Sequence, residues 1–348
     1  MRGFASSCRF SSSVASAPAS VADWDGGDRV GSAQVVIGAG PVGWTTAAML
    51  ADGGHAIRII TRNGAGPQHP RIERVRADAA DPTALLRSAE GAVVIYNAAS
   101  PPYRYWATDW PPLAGSVLSV AEATGAVLVT VSNLYGYGPV SHEMIESDPL
   151  DATTTKGRVR AQIWRDALAA HEQGRVRATE LRSSDYFGPR VLTSQLGERI
   201  IAKIIAGKPV SVFGDPDTPH SWTYITDVAR ALIQLGADER AWGRPWHTPT
   251  GPPISQRQVI DALSEAANGQ RTRVRSISPL ALKMLGIFVP DVRELGEIRY
   301  QFDDSFVVDS TAAQTTFGLE ATPLEAALRE TISWYRKRTM TTAAVDAR

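Results

Sequence analysis

The chain has 348 residues, 43% hydrophobic and 21% charged, enough for one large or two closely packed domains with a sizeable core. Lys and Arg number 36, as do Asp and Glu, so no net field favours nucleic acid or an anionic membrane, and partners of either kind are not expected. The one cysteine, Cys8, excludes an intrachain disulfide and a thiolate metal cluster; no apolar run nears the roughly 18–20 residues that cross a bilayer, which predicts a soluble, cytoplasmic protein.

Residues 1–32 are rich in Ser, Ala and Gly, lack an acidic residue before Asp23 and show no helical or strand period, which predicts a disordered leader. A transit peptide or a mis-called start would read the same way. From Gln34, short β-branched runs alternate with helical stretches. The runs are 35–37, 56–60, 71–75, 92–96, 126–131 and 175–181; the helices are Pro41 to Asp52, Pro82 to Ala89, Pro112 to Thr124 and Lys156 to Glu172. Continuous apolar strands separated by helices predict an α/β fold, a doubly wound parallel sheet over 33–188. Beyond Gly188 the spacing is less regular, which predicts a small C-terminal substrate lobe, mainly 189–337, with some segments returning to the first domain. The tail from Arg338 has no apolar face and is expected to fray.

The first strand, Val35-Val36-Ile37, runs straight into Gly38-Ala39-Gly40-Pro41-Val42-Gly43 and a helix. Glycines at these positions permit a tight turn, close approach of backbone to a pyrophosphate and close helix–strand packing, and the helix N-terminus adds amide donors. First in a βαβ series, the motif predicts dinucleotide binding through Gly38, Gly40, Pro41, Val42 and Gly43. The second strand ends at Arg62, where a carboxylate would hold a ribose 2′-hydroxyl; a guanidinium would attract a 2′-phosphate, which favours NADP over NAD. Asp78, after the third strand, could accept from the adenine amino group.

With further motifs in order after the right strands, residues 34–335 resemble the extended short-chain dehydrogenase/reductases, the NAD(P)-dependent epimerases and dehydratases, in an atypical branch. The anchors are Asn97-Ala98-Ala99, Ser132-Asn133-Leu134-Tyr135-Gly136-Tyr137-Gly138-Pro139, Leu181-Arg182-Ser183-Ser184-Asp185-Tyr186-Phe187-Gly188-Pro189 and His220-Ser221-Trp222-Thr223-Tyr224-Ile225-Thr226-Asp227. The resemblance implies cofactor contacts at Asn97, Ala98, Ala99, Lys156 and Tyr186. It implies an enzyme acting on a small hydroxylated or carbonyl metabolite by oxidoreduction, epimerisation or dehydration, and it admits a homodimer through helices 112–124 and 156–172.

The family's reaction uses a Tyr, a Lys four residues later and a Ser or Thr. Lys156 fits the lysine, which puts Ala152 at the phenol and Asn133 at the Ser/Thr position. Three readings stay open. Tyr135 or Tyr137 replaces the phenol, with Lys156 lowering its pKa; or the reaction is redox-neutral or non-redox and uses Asn133, Tyr135, His220 or Asp227; or catalysis is lost and the protein is a dinucleotide-sensing regulatory or binding protein. His220 falls where the family commonly has an Arg that contacts a nucleotide-sugar phosphate, which argues against such a substrate. Asn133, Tyr135, Phe187, His220, Trp222 and Tyr224 are candidate substrate contacts, and Asp227 is a candidate N-cap. The six histidines show no metal spacing, and no metal is expected.

Overall fold

A computed structural model describes residues 33–288 and 294–346; the expected leader 1–32 lies outside the described residues. The first half builds β1 (Ala33–Ile37), α1 (Pro41–Asp52), β2 (Ile57–Thr61), β3 (Ile72–Arg76), α2 (Pro82–Ser88), β4 (Ala92–Asn97), α3 (Trp106–Thr124), β5 (Val127–Asn133), α4 (Thr155–Glu172), β6 (Arg177–Ser183) and β7 (Asp185–Phe187). The second half adds α5 (Glu198–Ile205), β8 (Val210–Val212), β9 (Pro219–His220), β10 (Trp222–Tyr224), α6 (Ile225–Ala237), β11 (Pro245–His247), β12 (Ile254–Ser255), α7 (Gln256–Asn268), β13 (Val274–Ser276) and α8 (Pro279–Phe288). Short helices at Tyr300–Asp303 and Thr311–Phe317 follow, and the helix Leu324–Asp346 comes last.

The main sheet has seven strands in the order β11-β6-β5-β4-β1-β2-β3, every neighbouring pair parallel. Successive residues of a strand face opposite sides, and here each side is a core. Val36, Ile57, Ile59, Val94 and Val129 pack beneath α1 and α6, whereas Val35, Ile37, Ile60, Ile95 and Leu128 pack against α2, α3 and α4. Strand order reverses between β1 and β4, opening a crevice at their C-terminal ends.

The helix expected from Pro112 begins at Trp106 and contains Pro111 and Pro112. Each interior proline removes a backbone donor and costs about 3 kcal/mol, but Trp106 and Trp110 are buried at 2% and 0% exposure in the turns before them. Burying two indoles, which also stack edge to face at 6.1 Å, offsets much of that cost. In α4 the Thr154 side chain accepts from the Gly157 amide at 3.2 Å and caps the helix.

Beyond residue 188, α6 and β11 join the layers of the main sheet, β11 pairing with β6 from Pro245 opposite Glu180 to His247 opposite Arg182. The remaining strands form two-stranded pieces, β10 with β7, β12 with β9 and β13 with β8. Asp227 is not the cap of α6, whose N-cap is Tyr224. It lies in the first turn and accepts from the Thr322 amide and hydroxyl at 2.7 and 2.6 Å. The last helix runs past Arg338, where fraying was expected, to Asp346, since extending a helix costs far less than starting one. Among the described residues no helix is long and apolar enough to cross a membrane.

Candidate functional site

The turn after β1 sets the site. Gly38 has φ +96°, and a Cβ there would stand 2.9 Å from the Ala98 carbonyl oxygen; a Cβ on Gly43 would stand 2.1 Å from the Gly38 carbonyl oxygen. These two glycines let the loop, β4 and α1 close on one another. Gly40 is the N-cap of α1, and a Cβ at this position would meet nothing within 4 Å, so its open side faces empty space. The helix has no side-chain cap and no acidic residue in its first turn, leaving its positive end open to an anion.

That open side belongs to a cavity of about 1470 Å³. Gly38, Gly40, Pro41 and Val42 line it, with Arg62 and Asp78 at the β2–β3 edge and Ala98 and Ala99 after β4. Asp78 Oδ1 accepts from the Ala80 amide at 3.0 Å, and Arg76 Nε donates to the Arg62 backbone carbonyl at 3.1 Å, which holds the chain at the end of β2. Asn97 does not reach this cavity. It is 2% exposed and borders a smaller one between α3 and α4, because alternate residues of β4 face opposite sides of the sheet.

The inner end is formed by Tyr103, Asn133, Tyr135, Arg160, Ser184, Asp185 and Tyr186. Asn133 Oδ1 accepts from the Tyr135 amide at 3.2 Å, an Asx turn that aims the Tyr135 ring inward. The Tyr135 and Tyr103 hydroxyls are 2.7 Å apart. Burial pushes the Tyr135 phenol well above its ordinary value, and neighbouring Tyr103 and Asp185 add to the shift. Burial likewise raises Tyr103 and Tyr186.

Several expected site residues lie elsewhere. Lys156 is 2% exposed and does not line the cavity; its Nζ donates to Glu294 at 2.5 Å and to Glu297 at 3.4 Å. It therefore does not depress the Tyr135 pKa. Tyr137, two residues from Tyr135, turns to the other side of its loop, where it meets His247 Nε2 at 2.7 Å and accepts from Arg182 Nη1 at 2.7 Å. Burial pushes its phenol up to about 12. The Phe187 and Tyr224 rings pack tilted against each other within the core, their centres 5.4 Å apart, and Tyr224 donates to Glu330 at 2.5 Å. Trp222 donates its indole N–H to the Ile254 carbonyl at 3.0 Å. His220 is 1% exposed and does not line the cavity; it stands behind the cavity-lining Asp185, whose Oδ2 is 2.9 Å from its Nε2.

Sequence reasoning missed Arg160. It follows Lys156 by one helical turn on the same face, lines the cavity, and sits over Trp106 and Trp110 at 4.8 and 4.3 Å from the ring centres. Its Nη1 donates to the Val131 carbonyl at 3.2 Å, and its Nε has no partner among the described residues. Burial lowers its pKa, but a guanidinium starts high enough to stay charged. The buried Ser184 hydroxyl at the cavity wall likewise lacks a partner among the described residues. Open helix amides, an unpartnered guanidinium nitrogen and an unpartnered hydroxyl suit a polar, anionic dinucleotide. Among the described residues no group of three or more His, Cys, Asp or Glu could hold a metal ion.

Comparison with known proteins gives the family and the fold. The model of the NAD dependent epimerase/dehydratase family matches residues 35–243. A dTDP-glucose 4,6-dehydratase of Streptomyces griseus is 27% identical over 225 residues, covering 64% of this chain and 62% of that protein. The chain spans between 42% and 62% of the length of the curated dehydratases it matches. Two solved structures share the fold with a TM-score of 0.72. They are a UDP-glucose 4-epimerase from Thermotoga maritima with UDP-glucose, 19% identical over 88% of this chain and 99% of its own, and a dTDP-glucose 4,6-dehydratase from Streptomyces venezuelae with NAD bound, 20% identical over 88% and 97%. With the glycine loop at its first βα turn and the family model spanning well over half its length, the chain belongs to the NAD dependent epimerase/dehydratase family.

Proposed function

We propose that the protein is an NAD(P)-dependent enzyme of epimerase, dehydratase or reductase type acting on a small hydroxylated or carbonyl metabolite. The observation that carries this reading is the single continuous cavity that joins the glycine loop to the inner cluster of phenols, Arg160 and Asp185. Its volume exceeds the roughly 300–1,000 Å³ of an ordinary ligand site and leaves room for a second molecule beside a dinucleotide.

The open amides of α1 and the Gly38–Val42 turn would take the pyrophosphate, Arg62 a 2′-phosphate, and Asp78 the adenine amino group. When bound, the dinucleotide would supply a hydride acceptor or donor. Arg160, rather than Lys156, would hold the inner end of the cofactor, since it alone of the two lines the cavity. The pair four residues apart at the head of α4 is then Lys156 and Arg160, a register one turn later than Ala152 and Lys156. Asn133 and Tyr135 would orient the substrate.

The displacement of Lys156 onto two glutamates favours a second reading, because no ammonium is left to form a phenolate at Tyr135. In it the protein binds the dinucleotide without turnover and reports it to a partner. Calorimetric titration with NADP+, NADPH, NAD+ and NADH tests both readings. Tight binding, followed by conversion of dTDP-glucose, UDP-glucose or a simple ketone to a new product or by a change in nicotinamide absorbance, supports the enzyme. Binding without turnover of any of these supports the regulator, and no binding overturns both.

A further inference from the structure

We propose that Asp185 is the acid–base carboxylate of the cavity and that it shares a proton with His220; the catalytic half of this rests on the enzyme reading above. His220 Nδ1 is 3.1 Å from the Gln301 carbonyl oxygen, and its Nε2 is 2.9 Å from Asp185 Oδ2. Both partners are acceptors. A carbonyl cannot donate, so Nδ1 carries a hydrogen; a neutral imidazole would then turn a bare lone pair toward a carboxylate oxygen. The contact is satisfied only when the pair holds one more proton than a neutral ring and a free carboxylate, an imidazolium beside a carboxylate.

The surroundings fix this arrangement. The His220 ring lies between Phe302, stacked at 5.0 Å, Phe306 at 5.5 Å and Trp222 at 4.4 Å. These three rings enclose the imidazole and leave its two nitrogens directed at the carbonyl and the carboxylate. Asp185 lines the cavity, facing the phenols of Tyr103, Tyr135 and Tyr186, with the Arg160 guanidinium beyond them. The other groups there are poor bases. Tyr135 is held protonated by burial, Arg160 does not deprotonate, and Lys156 is engaged with Glu294 and Glu297. Of the other cavity carboxylates, Asp78 sits at the adenine edge and Asp109 on the exposed side of α3.

The step is a proton transfer. A substrate O–H bond breaks with its electron pair left on the substrate oxygen, and the proton forms a new O–H bond on Asp185; the reverse returns it. His220 keeps both N–H bonds throughout and holds the carboxylate in place, which makes it a positioning residue.

The test uses the full chain with its histidines labelled with nitrogen-15, alone and with the tightest-binding dinucleotide. In the wild-type protein both His220 ring nitrogens should read as protonated at neutral pH; in Asp185→Asn one should read as bare. Dinucleotide affinity in Asp185→Asn should stay within about threefold of wild type, while turnover of dTDP-glucose or UDP-glucose falls about 100-fold or more. His220→Gln should keep more activity than Asp185→Asn and shift the pH profile. A singly protonated His220 in the wild-type protein overturns the shared proton. Unchanged turnover or pH profile in Asp185→Asn overturns the catalytic role, as does a wild-type protein that binds dinucleotide yet turns over neither probe. Failure to bind any dinucleotide removes the enzyme reading instead, and the histidine spectrum then decides the shared proton by itself.

Discussion

Lys156 Nζ lies 2.5 Å from Glu294 Oε2, a link between the head of α4 and a segment 138 residues further along the chain. Glu297 adds a second carboxylate at 3.4 Å and also accepts from the Lys156 backbone amide at 3.2 Å. The amine is buried while the carboxylates are 20% and 34% exposed, so one end of the pair keeps contact with water.

Removing the charge in Lys156→Met should lower stability by about 1–3 kcal/mol, less than for a fully buried pair because the glutamates can hydrate. Dinucleotide affinity should hardly change. Arg160→Met keeps an apolar stem between Trp106 and Trp110 but should weaken dinucleotide binding about tenfold, roughly 1.4 kcal/mol. Denaturant unfolding and calorimetry on both variants check the contrast; the opposite pattern would restore Lys156 to the cofactor site.

Gly43→Ala and Gly40→Ala should fail in different ways. The first puts a methyl 2.1 Å from a backbone oxygen, forces α1 off β1, and should cost several kcal/mol with loss of binding. The second meets open space, so its stability should stay within about 0.5 kcal/mol of wild type. Its methyl would nevertheless stand where a pyrophosphate must approach, and affinity should fall at least about tenfold. Thermal unfolding beside calorimetry separates the two.

Arg62→Ala should discriminate between cofactors. A charge-assisted contact to a 2′-phosphate is worth about 1.5–3 kcal/mol, so NADP+ and NADPH should bind about tenfold or more weakly while NAD+ and NADH are unaffected. An equal loss for all four would place Arg62 outside the ribose site.

His247 gives a pH signature. Burial, the largest cause, and neighbouring Arg182 lower its pKa below 6.5, against the opposing pull of Glu146 and of the Asp309 carbonyl. The unfolded chain therefore takes up this proton first as pH falls, and stability is lost progressively below about pH 6.5. Wild type should lose more of its urea midpoint between about pH 7.5 and about pH 5.5 than His247→Gln does. The variant should be less stable at the upper pH, since it disturbs the buried contacts of the imidazole with the Tyr137 hydroxyl and the Asp309 carbonyl.

The alternation of β-branched runs and helices, with the glycine turn after β1, made the main sheet legible in the sequence, because local period and turn chemistry determine both. The start of α3 was not legible: Pro111 and Pro112 signal a helix boundary locally, and only the burial of Trp106 and Trp110 overrides them. At the site the limit was direction. Tyr135 and Tyr137 share one short loop, yet one faces the cavity and the other faces His247, a distinction set by the Asn133 turn and by strands far away in sequence. Arg160 carried a readable signal, a four-residue step from Lys156 on one helix face, which the match of Lys156 to the family lysine concealed. The pairing of Asp185 with His220 joins the short strands β7 and β9 across 35 residues of sequence, and no spacing rule predicts it.

The strand β11 begins at Pro245, two residues beyond the end of the family match, yet it forms one border of the seven-stranded sheet. A recombinant fragment stopped at residue 243 would strip β6 of its partner on one side and leave Glu180 and Arg182, both 2% exposed in the intact chain, on an open sheet edge. Such a fragment should be aggregation-prone, and the smallest piece worth expressing extends at least through the helix that ends near Asp346, since that helix packs on α5 and α7.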